Sequence, residues 1–340
     1  MVPPPATQPR SRTLRLIAVG FGVCVALAAT EVVLRVSGVG VYKPRVHAYN
    51  FLLRKGDRYW VFNPEHPPTH TWDGDPYGRL PAGAKMTYTI GSAGLRGEPP
   101  APGRPSVLVV GDSFTFGEGV QLEETFTARL ERAFAVRPNV PAFVNAGVPG
   151  YGTVEEAARL PSLLDRYEPK AVLLVAIPND AIPLQEAAGA TDLVNAQEND
   201  APPPLRVVEL ARHVLGRAAA DQSVEEWYAS YYFGERASRW EDAKKALQSM
   251  AAACRERKIP FGVAMFPLLY RLRDRPFARI HGAYEAACAE MGVPFIDLTP
   301  ALAVESDRAL WVHPTDHHPD ARAHELAAEA LKPFVDGLLR

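Results

Sequence analysis

The chain has 340 residues, room for one large domain or two small ones with an ample core. Its 37 Lys and Arg stand against 39 Asp and Glu, a formal net charge of -2, and that near balance gives no reason to expect nucleic acid, which favours a clearly basic face. Three cysteines exclude a disulfide-dense scaffold, and no C-x-x-C spacing suggests zinc.

At the N-terminus Arg10, Arg12 and Arg15 precede an uncharged apolar run over 16–29. A basic flank followed by an apolar run is a membrane-targeting pattern. If the helix continues through Thr30 and Glu31 to Leu34, it approaches the ~20 residues that span a bilayer. If Ala26-Leu27-Ala28 is a cleavage site, the segment is removed. The apolar Val32, Val33 and Leu34 beyond Glu31 favour an anchor. Residues 1–39 are therefore expected to be a membrane anchor or signal segment, and either route places the rest of the chain outside the cytoplasm. Cys24 lies in this run behind Val23, an unsuitable context for lipid attachment.

Residues 40–105 are rich in Pro, Gly and aromatics and show no sustained period. Tyr42, Tyr49, Phe51, Tyr59, Trp60, Phe62 and Trp72 are too many aromatics for a free linker. This lead-in is expected to drape over the main domain, with a short β-ribbon around 86–90. Glu65, His66 and His70 lack the helical spacing that makes a metal motif persuasive.

From 106 onward, strand and helix patterns alternate. Strands are predicted at 107–111, 143–145, 171–176, 261–266 and 294–298, and helices at 122–136, 153–167, 237–257, 275–291 and 320–339. Such alternation implies a three-layer α/β/α domain over 106–340, with parallel strands joined by right-handed crossovers. An insertion at 181–236 breaks the rhythm with a Pro-rich loop, a helix near 206–219 and the aromatic cluster Trp227, Tyr228, Tyr231, Tyr232 and Phe233. A long excursion from the carboxyl end of a strand is expected to be a lid or binding loop. The cluster reads either as lid packing against the core or as a carbohydrate or partner surface. Cys254 and Cys288 both fall in helical patterns and read as two separate buried thiols.

Candidate chemistry gathers at the carboxyl ends of the strands, where open α/β sheets place their ligands. After strand one, Gly111-Asp112-Ser113 presents one hydroxyl, although Asp and Ser are also ordinary turn chemistry. Near the C-terminus, Asp316-His317-His318-Pro319 offers His318 as a base and Asp316 as the group that holds its ring. His313 and His317 are rivals for the base role. The same turn also reads as the cap of the last helix, with Pro319 at its first position. For an oxyanion, the glycine-rich turn ending in Gly150 follows strand two, and the Asn179 amide follows strand three.

These ordered blocks resemble the SGNH (GDSL-type) hydrolases over about 106–339. The resemblance implies a flavodoxin-like five-stranded parallel sheet, with Ser113 as nucleophile, His318 as base and Asp316 as its partner. It also implies an oxyanion hole made by the Ser113 and Gly150 amides and the Asn179 side chain. The 91–97 stretch looks like the lead-in of membrane-anchored bacterial members. Two departures stand out: Ile177 replaces the third-block glycine, and the Asp-to-His spacing is i, i+2 instead of i, i+3. The expectation is an exported serine ester hydrolase of esterase or deacetylase type, needing no cofactor and no metal. Its substrate would be an ester-bearing small molecule, lipid or acetylated glycan. An envelope polysaccharide O-acyltransferase using the same acyl-enzyme is one alternative, and a non-catalytic envelope binding module is another.

Overall fold

The computed structural model of the protein describes residues 10–36, 44–47, 52–55, 59–65, 69–72, 85–136, 141–182, 205–208, 224–313 and 316–340. In chain order the main elements are helix α1 (Arg10–Val36), strand β1 (Ser106–Gly111), helix α2 (Phe126–Phe134) and strand β2 (Ala142–Asn145). Helix α3 (Thr153–Tyr167), strand β3 (Ala171–Ala176), helix α4 (Ser238–Glu256) and strand β4 (Phe261–Met265) follow. Helix α5 (Ala278–Met291), strand β5 (Phe295–Asp297) and helix α6 (Ala321–Leu338) complete the domain.

The five strands form one parallel sheet in the order β5-β4-β3-β1-β2, the flavodoxin-like order that the family resemblance implies. Every residue of β1 and β3 is buried, which is why both strands read as unbroken apolar runs. Alternate side chains of β1 serve opposite layers, as the two-residue period of a strand requires. Leu108 and Val110 pack with Leu160 and Leu164 of α3 and Leu247 of α4, whereas Val107 and Val109 pack with Leu130 of α2 and Leu331 of α6. Full burial of each such side chain contributes roughly 1.5–3 kcal/mol.

The helix predicted over 122–136 is two elements. A single 3-10 turn, Leu122–Glu124, ends at Thr125, whose backbone is extended and whose hydroxyl accepts from the Ala128 N–H at 3.3 Å. That cap starts α2 afresh. Cys254 and Cys288 are separate free thiols, both pushed up to about 12 by burial, so neither is a nucleophile at neutral pH.

The stretch Leu14–Val36 is long enough to cross a membrane and has a mean hydropathy of 2.3. Leu16, Ile17 and Phe21 project from α1 uncovered by protein. At the end of α1 the Glu31 carboxylate accepts from the backbone N–H groups of Arg206 (3.0 Å) and Val207 (2.9 Å) and from the Arg35 guanidinium (2.6 Å). The insertion is thereby tied to the apolar helix. Of the helix predicted near 206–219, residues 206–208 are helical, and the remainder lies outside the described residues.

The aromatic cluster lies on a helix spanning 224–233. Tyr231 and Tyr232 are buried, Tyr232 donates its hydroxyl to the Pro178 carbonyl at 3.0 Å, and Tyr228 meets the Phe277 ring edge-on at 5.2 Å. Most of the cluster therefore packs on the core, leaving Trp227 and Phe233 exposed. In the lead-in, Lys85–Thr87 pairs antiparallel with Thr69–Trp72, a ribbon that begins one residue before the predicted one. Phe62 stacks on Phe116 with centroids 4.8 Å apart, and Tyr88 meets the same ring at 4.9 Å. Tyr42, Tyr49, Phe51 and His66 lie outside the described residues.

Candidate active site

Strand β1 ends at Gly111, where a Cβ would fall 2.1 Å from Thr115 Oγ1 and 2.8 Å from the Val175 carbonyl, so no larger residue fits. Asp112 then caps the short helix Ser113–Phe116, its carboxylate accepting from the Phe114 N–H at 2.9 Å and from the Ser113 hydroxyl at 3.2 Å. Burial pushes the Asp112 carboxyl up to about 6 despite that capping bond. Ser113 is 8% exposed at the carboxyl edge of the sheet.

The base candidate comes from an antiparallel ribbon in which Trp311–His313 pairs with Asp316–Pro319. Residues two apart on a strand share a face, and this is what makes the short i, i+2 spacing workable. Asp316 Oδ1 lies 2.6 Å from His318 Nδ1 and accepts the His318 backbone N–H at 3.1 Å. On the other edge of the ring, Nε2 lies 3.0 Å from Ser113 Oγ. The Phe114 ring meets the imidazole edge-on at 5.6 Å. The rivals are placed elsewhere: His313 is fully buried opposite Asp316, and His317 lies flat on Trp311 with centroids 3.8 Å apart. Pro319 is not the first residue of α6. It closes the ribbon against Trp311, and Asp320 is the cap, accepting from the Ala323 N–H at 2.9 Å.

Burial disfavours charge on His318, yet the carboxylates of Glu118, Asp316 and Asp112 outweigh it and hold the imidazolium up to about 10. Glu118 is the member of this set that sequence reasoning missed. Its Oε2 lies 3.5 Å from His318 Nε2, and the signal that could have found it is the pair of glycines flanking it, Gly117 and Gly119.

Three loops are linked to one another at the carboxyl edge of the sheet. The Val148 N–H donates to the Gly111 carbonyl at 3.0 Å, so the turn after β2 runs across the nucleophile loop. Gly147 makes that crossing possible, since a Cβ there would lie 2.3 Å from the Phe116 nitrogen. Gly150, with φ +80°, turns this segment outward. Thr153 N–H then donates to the Asp180 carbonyl at 3.1 Å, joining the Gly150 turn to the Asn179 turn. Gly152 permits the contact, because a Cβ would sit 2.5 Å from that carbonyl oxygen. Asn179 is half-buried and its main-chain carbonyl accepts from the Ile182 N–H at 2.8 Å. Ile177, in place of the expected glycine, is buried in the same apolar layer as Phe266 and Leu298.

Behind these turns Asp180 and Glu156 are buried carboxyls, and both are driven well above the ordinary range, mainly by burial and then by neighbouring acids. Among the described residues no group of three His, Cys, Asp or Glu side chains could hold a metal ion.

Residues 109–326 match the profile of the GDSL-like lipase/acylhydrolase family. Among solved structures, the chain is similar to TesA, with a TM-score of 0.46 and 19% identity over 69% of this chain and 99% of that one. It is also similar to the psychrotrophic esterase EstA from Pseudoalteromonas sp., at a TM-score of 0.43 and 14% identity over 69% and 98% of the two chains. A catalytic mutant of Axe2, an acetylxylan esterase from Geobacillus stearothermophilus, gives a TM-score of 0.43 and 15% identity over 69% and 94%. A search of curated proteins finds no match.

Proposed function

This chain belongs to the GDSL-like lipase/acylhydrolase family, and on that premise we propose that it hydrolyses carboxylic esters with Ser113 as nucleophile, His318 as base and Asp316 orienting the ring. The observation that carries this reading is the continuous chain from Asp316 through His318 to Ser113, with links of 2.6 and 3.0 Å. Ser113 Oγ bonds the ester carbonyl carbon as its proton passes to His318 Nε2. The backbone N–H groups of Ser113 and Gly150 and the Asn179 side-chain amide receive the oxyanion. Collapse breaks the ester C–O bond, and the leaving alkoxide takes the proton from Nε2. Water then adds to the acyl-enzyme with His318 again as base, releasing the acid and restoring the hydroxyl. The charges around His318 serve this cycle directly, since they stabilise the imidazolium that each attack creates.

The purified protein is expected to hydrolyse short p-nitrophenyl esters and to be labelled by a fluorophosphonate. Absence of both would overturn the reading. Asn179→Ala is expected to lower kcat by about 10²–10³, the usual cost of removing one oxyanion donor, with KM nearly unchanged. An unaltered kcat would remove Asn179 from the site.

We further propose that α1 remains as a single-pass anchor and that the catalytic domain lies outside the cytoplasm. The uncovered apolar side chains of α1 support this, as does the tie between Glu31 and the insertion. Fractionation is expected to find the protein in membranes, resistant to a high-pH wash. Recovery in soluble cytosol would defeat the proposal.

A further inference from the structure

Glu118 enters the mechanism above only as one of the charges around His318, yet the backbone around it is held in place from both sides. Gly117 and Gly119 have φ of +80° and +88°, a left-handed conformation that other residues adopt only under strain. Neither position has space for a side chain, since a Cβ would lie 2.5 Å from Thr125 Cγ2 at Gly117 and 2.5 Å from Val312 Cγ2 at Gly119. The N–H groups of Gly117 and Glu118 both donate to the Ser113 carbonyl, at 3.0 and 3.1 Å. The Gly119 N–H donates to the Tyr88 hydroxyl at 2.8 Å.

Behind this turn, Arg96 stacks over the rings of Tyr88 (4.6 Å) and Phe116 (5.0 Å) and donates to the Val120 carbonyl at 2.8 Å. The lead-in segment thus braces the turn that carries Glu118. The result is a carboxylate whose side chain is 15% exposed, with Oε2 3.5 Å from the same His318 nitrogen that faces Ser113.

We propose that Glu118 is a positioning residue for the reaction, an acid on the Nε2 edge of His318 that holds the ring's proton between turnovers, opposite Asp316 on Nδ1. This rests on the assignment of His318 as the base. An imidazolium N–H on Nε2 has two acceptors within reach, Ser113 Oγ and Glu118, and the carboxylate is the stronger one. The proton must leave this pair before Ser113 can be deprotonated, so Glu118 trades activity at low pH for stabilisation of the charged ring.

The ionisable groups acting on His318 come from every side. Asp316 shares its strand, Asp112 and Glu118 come from the nucleophile loop, and His324 lies on α6. From the lead-in, Tyr88 feels both Glu118 and Asp316, with Arg96 beside it. Burial keeps the Tyr88 phenol well above its ordinary range and pulls His324 down to about 3, so both are neutral near pH 7. Removing Glu118 leaves Asp316 as the carboxylate bonded to His318 and Asp112 as a more distant acid.

The test is the pH dependence of kcat/KM for a p-nitrophenyl ester in the wild type and in Glu118→Gln. His318 must be neutral to act, so the acid limb reports loss of its proton. In Glu118→Gln that limb is expected to move to lower pH by about one unit or more, the usual size for losing one close opposite charge. Relative to each enzyme's own plateau, the variant would be about tenfold more active well below the limb. Glu118→Asp, which keeps a shortened carboxylate, is expected to fall between the two.

Superimposable profiles, or a uniform loss of kcat with no shift, would overturn the role. ¹⁵N-histidine NMR titration of Ser113→Ala against Ser113→Ala/Glu118→Gln reads the His318 proton without catalysis. If the wild type proves inactive, the serine-hydrolase reading fails while this titration still decides the Glu118–His318 coupling. A Glu118→Gln protein that does not fold leaves the decision to Glu118→Asp by the same two measurements.

Discussion

Ser113→Ala is expected to lower ester hydrolysis by roughly 10⁶-fold, the scale seen when a serine nucleophile is removed from a comparable constellation, and to abolish fluorophosphonate labelling. The fold should survive this change. Ser113 occupies the first position of a short helix whose cap is Asp112, and Asp112 keeps its bond from the Phe114 N–H when the hydroxyl is gone. The substitution removes one oxygen and the bonds it makes to Asp112 and His318, and it adds no atoms to a site that is nearly closed. A thermal melt close to that of the wild type would therefore accompany the lost activity. Full turnover in Ser113→Ala would end the serine-hydrolase reading outright.

Asp316→Asn is expected to lower kcat by about 10⁴, because an amide in place of the carboxylate stabilises the wrong tautomer of its histidine. In the neutral ring, a carboxylate 2.6 Å from Nδ1 keeps the proton on that edge, so that Nε2 can accept from Ser113. An Asn side chain can turn its NH₂ toward Nδ1, which places the proton on Nε2 and removes the base. A change in stability with pH should accompany the kinetic one.

In the folded protein the His318 proton is held up to about 10, above the ~6.5 of an unperturbed imidazole. A raised histidine contributes stability that is fully present below about 6.5 and is lost as pH rises through about 10. Asp316→Asn removes one of the charges responsible, so its melting temperature should decline less between pH 7 and 10 than that of the wild type. A kcat within tenfold of the wild type would exclude Asp316 as the orienting group.

The parallel sheet was readable from the chain because its signals are local. Strand β3 is apolar throughout and lies in the sheet centre, so its predicted and observed bounds coincide over 171–176. The helix expected over 122–136 divides at Thr125, where a side-chain cap overrides an apolar period that continues past it. Gly111-Asp112-Ser113 is legible because the turn after a buried strand has no room for a side chain at Gly111 and takes a capping residue at Asp112. The last helix is expected over 320–339, and a proline near a helix entrance makes Pro319 read as its first residue. In the folded chain Pro319 pairs across the ribbon with Trp311 and leaves the capping to Asp320.

By itself, the sequence determined the alternation of strands and helices, the Gly-Asp-Ser turn at the edge of the first strand, and a membrane-length apolar segment at the N-terminus. Each depends on neighbours a few residues away, whose steric and polar demands appear in composition and spacing. Which of His313, His317 and His318 faces Ser113 is visible only in the tertiary structure. The three lie within six positions of one another, and it is the ribbon's register that buries the first, stacks the second on Trp311 and turns the third toward Ser113, 205 residues away. For Glu118 the flanking glycines are the one local signal, and they do not say what the carboxylate faces. A glutamate between two glycines looks like a solvated turn until Val312, Tyr88 and Thr125 close around it and bring its carboxylate to the imidazole. Contacts between residues this far apart in sequence leave no periodic trace in the chain.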